Sequence, residues 1–242
     1  MAGKLECAMV LSAGLGTRMA PASRAVPKPL VPLAGKPLID HVLDRDAEAG
    51  IKLAVVNLHH KADLIEKHVK GRKSPAIAFS DEREALLDTG GGVKKALPLL
   101  GAGPFLIHNA DSVWVEGIGS NLVQLMDVWD DARMDCLMML ALSTSGLGYH
   151  GRGDFALDAE GRIRRRRVEQ EIVPFAFTGV SIAHPRLFKN SPEGAFSLNV
   201  VWSQAIAAKR AFGMRMEGIW MHVGTPEALT QAEQCLNGAL RD

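Results

Sequence analysis

Apolar runs of strand length alternate with amphipathic stretches of helical period through the first half of the chain. Residues 8–12 read as a buried strand running into a glycine-rich loop, and the pattern over 37–49 predicts a helix closed by Gly50. Residues 53–57, 76–80 and 105–108 read as further strands, with helical patterns over 62–70 and 93–100 between them. A helix over 121–129 and a strand over 136–142 complete a β-α-β series. Such alternation predicts an α/β fold with a mainly parallel sheet covered by helices on both faces. Beyond residue 148 the spacing shortens: alternating segments at 154–157, 162–168 and 175–182, with a hairpin turn at 158–161, predict a small β-rich subregion. A helix over 198–209, a strand over 214–223 and a last helix opened by Thr225-Pro226 follow. No linker, repeat or low-complexity segment interrupts 1–242, which reads as one domain with halves of about 1–147 and 148–242.

Composition narrows the partners. A chain of 242 residues can bury a sizeable core, and 28 basic against 27 acidic side chains give no global reason to expect nucleic acid. The run Arg164-Arg165-Arg166-Arg167 lacks interleaved aromatics and reads as a solvated strand edge. Cys7, Cys136 and Cys235 are few, odd in number and far apart, which argues against a disulfide framework or a cysteine zinc site. The apolar run at 8–11 is too short for a signal peptide, and no stretch approaches a membrane span, so a cytoplasmic setting is expected.

The chemistry concentrates in two early motifs. Leu11-Ser12-Ala13-Gly14-Leu15-Gly16-Thr17-Arg18-Met19 follows the first strand, and Pro27-Lys28-Pro29-Leu30 comes shortly after. The loop lacks a third glycine and an acidic residue at the end of the second strand, so it is not a dinucleotide fingerprint; without Gly-Lys-Ser/Thr it is not a P-loop. What remains is a polyphosphate cradle. Backbone N–H groups around Gly14 and Gly16 bend close to phosphate, Arg18 suits bidentate contact with β- and γ-phosphate oxygens, and Lys28 is a point charge on a proline-stiffened backbone.

These stretches, with Val31-Pro32-Leu33-Ala34-Gly35-Lys36-Pro37-Leu38-Ile39, resemble the opening of the sugar-phosphate nucleotidyltransferases, the NDP-sugar pyrophosphorylases. The resemblance implies a Rossmann-like three-layer α/β/α sandwich and a Mg²⁺-dependent reaction of a nucleoside triphosphate with a sugar 1-phosphate. Nucleotide contacts are then expected from Ser12, Ala13, Gly14, Gly16, Thr17, Arg18 and Lys28. Asp88-Thr89-Gly90-Gly91-Gly92 resembles the family's base-reading turn, which points to Thr89 and Gly90, with Asp81 or Glu82 as acceptor for a pyrimidine imide. Asn109-Ala110-Asp111 resembles the metal-binding aspartate motif, making Asp111 catalytic beside Arg18 and Lys28.

Two later segments, 149–155 and 177–188, resemble the N-acetylmuramate α-1-phosphate uridylyltransferase branch. By that analogy Arg152, Gly153, Asp154, Glu169, Thr178 and Gly179 are sugar contacts, with Arg152 meeting an acidic substituent or pairing with Asp154. The block 220–227 departs from the pattern, because His222 stands where the family commonly has a metal-binding aspartate. An imidazole is a poor Mg²⁺ ligand. Three readings stay open: the metal rests on Asp111, phosphates and water; His222 binds Mn²⁺ or Mg²⁺ weakly; or catalysis is impaired. The expected reaction is uridylyl transfer to N-acetylmuramate α-1-phosphate by a monomer or small homo-oligomer. The alternatives are mannose 1-phosphate with GTP, glucose 1-phosphate with UTP or dTTP, and a silent nucleotide-sugar-binding subunit.

Overall fold

β1 (Cys7–Leu11) is buried along its middle and runs down the centre of the molecule. The computed structural model describes residues 5–19 and 26–239, with the side chains of Arg18 and Ala239 outside that description. After 3-10 turns at Thr17–Met19 and Lys28–Leu30 comes a hairpin of β2 (Pro32–Leu33) and β3 (Lys36–Pro37). Its two-residue turn, Ala34-Gly35, holds both residues at positive φ, as a type I′ turn requires. Then follow α1 (Leu38–Glu48), β4 (Leu53–Leu58), α2 (Ala62–Val69), β5 (Ala76–Asp81), α3 (Asp88–Leu100) and β6 (Phe105–Asn109). The next elements are β7 (Ser112–Glu116), α4 (Asn121–Val128), β8 (Cys136–Leu142), β9 (Phe155–Leu157), β10 (Ile163–Arg165) and β11 (Phe175–Ala183). The chain finishes with α5 (Leu198–Ala207), β12 (Ala211–Arg215), β13 (Gly218–His222) and α6 (Pro226–Ala239).

Nine strands make the main sheet. β1 lies between β4 and β6, parallel to both, and β5 continues parallel beyond β4. β11 runs antiparallel between β6 and β8, and β12 lies parallel outside β8. The β9–β10 hairpin meets the start of β11. The sheet is thus mainly parallel with two reversed strands, β10 and β11. Alternation along β1 divides the core: Met9 packs with Val93, Ala96, Val201 and Trp202 of α3 and α5, whereas Val10 packs with Val42, Leu43 and Ile65 of α1 and α2. Helices therefore cover both faces, which is why the central strands are apolar on both sides. Among the described residues no helix is long and apolar enough to cross a membrane.

Three differences from the sequence reading have local causes. The strand expected over 214–223 is two: β12 joins the main sheet, and β13 pairs with β7 in a separate ribbon. β13 opens at Gly218 (φ +99°), where a Cβ would stand 2.1 Å from the Val115 carbonyl oxygen. α3 starts at Asp88, so it includes all three glycines. Poor helix formers persist there because packing needs them: added Cβ atoms would stand 2.4 Å from the Phe196 ring at Gly90 and 2.3 Å from the Gly194 oxygen at Gly91. Finally, β10 ends at Arg165. The half-buried Arg165 bonds Asn199, and the Glu171 carboxylate accepts from both Arg164 and the Arg167 backbone N–H. Three of the four arginine side chains are thus engaged within the fold, Arg164 in an ion pair with Glu171 and Arg165 and Arg166 in hydrogen bonds.

Candidate active site at the carboxyl edge of the sheet

The parallel strands β1, β4 and β6 end side by side, at the edge where open α/β sheets gather ligands. Beyond Leu11 the chain turns through Ser12 and Ala13, whose N–H groups both donate to Asn57 Oδ1 at 2.7 and 3.2 Å. The Ser12 hydroxyl donates to the Asn57 carbonyl. With those amides engaged, the part of the turn that can face a phosphate begins at Gly14. A Cβ there would meet nothing within 4 Å, so the space over the turn is open, and Gly16 needs its φ of +64°. The turn forms one wall of a cleft of about 620 Å³. Ser12, Ala13, Gly14, Gly16, Thr17, Lys28, Thr89, Asn109 and Asp111 all line it, so the structure brings together most of the nucleotide contacts expected from sequence.

Lys28 opens the 3-10 turn behind Pro27, and Pro29 is buried beneath it. Its ammonium pairs with the Asp111 carboxylate across 83 residues of sequence. Asp111 is held after β6 by the N–H of Ala110 donating to Leu11 O at 3.0 Å. Both side chains are partly exposed, at 15% and 32%, so an incoming polyanion can reach the pair.

A second cavity of about 120 Å³ shares Lys28, Asn109 and Asp111 with the first. Its other walls come from Ser112, Phe177, Thr178, Gly179 and the segment from Trp220 to Gly224. β11 shifts register against β8 between Phe177 and Ser181, a bulge that turns Thr178 and Gly179 toward this space. Thr178 Oγ1 donates to Met139 O at 2.8 Å, and Ser112 Oγ donates to Thr178 O at 2.7 Å. Gly179 (φ +91°) has no room for a side chain, since its Cβ would lie 2.1 Å from Ser112 Oγ. His222 ends β13 opposite Ser112, with its ring centroid 5.5 Å from that of Trp220 and edge-on to Tyr149 at 6.1 Å.

Asp111 and His222 therefore line one cavity. Among the described residues no three His, Cys, Asp or Glu side chains gather as a metal site. One carboxylate at the junction of two cavities still suits a hard cation such as Mg²⁺, which commonly takes one or two carboxylates with phosphate oxygens and water.

Other expected residues stand elsewhere. Glu82 is 1% exposed: Oε1 accepts from Asn57 Nδ2 at 2.8 Å and Oε2 from Leu87 N–H at 3.3 Å, so its oxygens are used within the fold. Asp81 is exposed and bound by the backbone and guanidinium of Arg83, which hold its carboxyl below the usual range. Neither lines the cleft, nor does Gly90, whose N–H donates to Phe196 O at 2.8 Å. The glycines there pack the start of α3 against Phe196, Gly194 and Glu82.

On the sugar side, Arg152 is exposed and donates to Gln170 O at 3.1 Å. Gly153 (φ +78°) lies under Tyr149 and against Val173. Asp154 Oδ2 accepts from Phe177 N–H at 2.9 Å, and exposed Glu169 offers its backbone carbonyl to Arg166. These four line neither cavity; Asp154 reaches the second only through Phe177. The Arg18 side chain, expected on the leaving phosphates, lies outside the described residues. Sequence reasoning missed Asn57, Leu86 and Asp88 in the first cavity and Phe177 and Trp220 in the second. The signal for Asn57 was present: a polar residue at the end of an otherwise apolar buried strand.

Residues 7–147 match the family described as nucleotidyl transferase. The N-acetylmuramate alpha-1-phosphate uridylyltransferase of Caulobacter vibrioides is 47% identical over 232 residues, covering 94% of this chain and 96% of that protein. The protein of the same name from Neisseria meningitidis serogroup B is 32% identical over 242 residues, covering 96% and 98%. Among solved structures, an apo UDP-glucose pyrophosphorylase superposes with a TM-score of 0.76 at 17% identity, over 97% of this chain and 99% of the other, which shows the shared fold. With more than half its length in one family and relatives aligned nearly end to end, the chain belongs to the nucleotidyl transferase family, among its sugar-1-phosphate members.

Proposed function

We propose that the protein joins UTP to N-acetylmuramate α-1-phosphate, releasing pyrophosphate and forming the uridine diphosphate sugar. The observation that carries the reading is the meeting of a large and a small cavity at one cation–carboxylate pair, Lys28 and Asp111. The triphosphate takes the larger cleft, its phosphates over the turn from Gly14 to Thr17. The sugar 1-phosphate takes the smaller one, under the β11 bulge. The choice of uracil and of this sugar is supported by the two relatives aligned over almost the whole chain.

The reaction forms one O–P bond at the α-phosphorus and breaks the bond to the β-phosphate oxygen. The attacking phosphate oxygen is already anionic, so no side chain need remove a proton; the chain's work is positioning and charge neutralisation. Lys28 leaves Asp111 for the α-phosphate, where negative charge develops. Arg18 meets the departing pyrophosphate. Asp111, relieved of Lys28, would hold a divalent cation, Mg²⁺ or Mn²⁺, and His222 lines the same cavity. When bound, that cation supplies further neutralisation at the phosphates. Thr178 and Gly179 shape the sugar side, and Arg152, Asp154 and Glu169 stand outside the cavity lining. The enzyme works in the cytoplasm, as a monomer or small homo-oligomer.

Pyrophosphate release across a panel of triphosphates and sugar 1-phosphates tests the assignment. The expected result is the highest kcat/KM for UTP with N-acetylmuramate α-1-phosphate. Preference for GTP with mannose 1-phosphate, or for glucose 1-phosphate, would overturn it.

A further inference from the structure

One buried chain of hydrogen bonds ties the two walls of the larger cleft together. Asn57 is 2% exposed and Glu82 is 1% exposed. At one end, Asn57 Oδ1 receives the N–H groups of Ser12 and Ala13, where the glycine turn begins. In the middle, Asn57 Nδ2 donates to Glu82 Oε1 at 2.8 Å. At the other end, Glu82 Oε2 receives the N–H of Leu87, between the cleft-lining residues Leu86 and Asp88. The backbone of Glu82 is itself pinned, its N–H donating to Leu58 O at 2.8 Å and its carbonyl bonding His59 Nδ1 at 2.7 Å. Gly92 packs against the middle link: a Cβ there would stand 2.7 Å from Glu82 Oε1 and 3.0 Å from Asn57 Nδ2.

We propose that Asn57 and Glu82 are positioning residues that set the width of the nucleotide cleft, holding the turn that starts at Ser12 at a fixed distance from the wall at 86–89. The proposal rests on the assignment of that cleft to the triphosphate. A link made only for stability has no reason to end on both faces of a ligand cleft. This one does, and the amides it takes from Ser12 and Ala13 fix where the turn begins. A looser link lets the walls separate, so the cost falls on triphosphate binding and spares the sugar phosphate.

The link can be broken and remade. Asn57→Asp faces two buried carboxylates and removes the donor between them. Glu82→Gln leaves one N–H or NH₂ group without an acceptor. The double variant restores every bond with reversed polarity: the new carboxamide donates to the new carboxylate and accepts from Leu87, and the carboxylate accepts from Ser12 and Ala13. Each single variant is expected to raise KM for UTP roughly tenfold, an effect typical of a lost charge-assisted hydrogen bond. KM for the sugar phosphate should stay within about twofold, and the double variant should fall well below the product of the two single effects. Single effects that multiply, or a lowered Tm with both KM values unchanged, would overturn the proposal.

The same cycle read as Kd for UTP by calorimetry separates the two claims. A parent without turnover on any substrate pair sinks the assigned reaction, while the binding cycle still judges the link. Should Asn57→Asp fail to fold, hydrogen exchange at the Ser12 and Ala13 amides in Glu82→Gln decides. Faster exchange together with weaker UTP binding supports the proposal, and unchanged exchange or unchanged binding contradicts it.

Discussion

The two cavities that meet at Lys28 and Asp111 are built in opposite ways. The larger is a backbone structure: its walls come from contiguous stretches around 11–17 and 86–89, and the side chain beneath one of them, Asn57, is consumed in holding amides. The smaller is made by side chains and a strand irregularity, with β6 and β7 each giving one residue and β11 and β13 each giving three. Glycine shows the contrast. Gly14 faces open space and leaves room for a ligand, whereas Gly179 is pressed against Ser112 and Asn109 and leaves room for nothing. Under the proposed assignment, a triphosphate, nearly the same in every nucleotide, would be met by a reusable backbone turn, and a particular sugar by a pocket whose shape depends on how distant strands pack.

The largest effects are expected where the two cavities join. Lys28→Ala and Asp111→Asn should each lower pyrophosphate release by about 10²–10³-fold, with KM values changing far less and cooperative unfolding retained. A variant that keeps near-normal release would separate the pair from the chemistry. Next come the two glycines. Gly179→Ala, with positive φ and a Cβ 2.1 Å from Ser112 Oγ, should cost roughly 2 kcal/mol or more in denaturant unfolding. Gly14→Ala should stay within about 0.5 kcal/mol of the parent while raising KM for the triphosphate. Equal losses of stability would dissolve the contrast.

The smallest effect is a pH dependence outside both cavities. His41, on α1, bonds the Leu33 carbonyl through Nε2 at 3.0 Å, and burial, aided by the charges of Lys36 and Arg45, lowers its pKa below the ordinary 6.5. The unfolded chain therefore binds a proton that the folded one resists, so this stability is full above 6.5 and drains as pH falls through the lowered folded value. Between about pH 7 and about pH 5 the urea midpoint should drop less in His41→Gln than in the parent.

Much of the fold was legible because its causes are local. The strands β1, β4 and β8 are apolar runs of the right length, and Gly50 marks the end of α1. The start of α3 was not, because its glycines are poor helix formers and only the packing of Phe196 and Gly194 against them shows why they are there. The break between β12 and β13 was hidden for a similar reason: the apolar pattern continues across Met216, and the need for glycine at 218 comes from the close approach of Val115. The site followed the same division. Lys28, Asp111 and the glycine turn sit in short motifs, so their chemistry could be read in sequence. Glu82 looked like a base acceptor, and only the tertiary structure reveals that Asn57 and Leu87 occupy it. Arg152, Asp154 and Glu169 were placed by analogy with a sugar pocket, but the lining of the smaller cavity is settled by strand packing, which brings Phe177 and Trp220 there instead.

The claim beneath all of this is that each cavity holds one substrate and that they react across Lys28. Steady-state KM for both substrates in two wall variants, Leu86→Ala in the larger cleft and Phe177→Ala in the smaller cavity, tests it most directly. The account predicts a crossed result: Leu86→Ala raises KM for UTP alone, and Phe177→Ala raises KM for the sugar 1-phosphate alone. Both variants acting on the same substrate, or each on the other's, would contradict it.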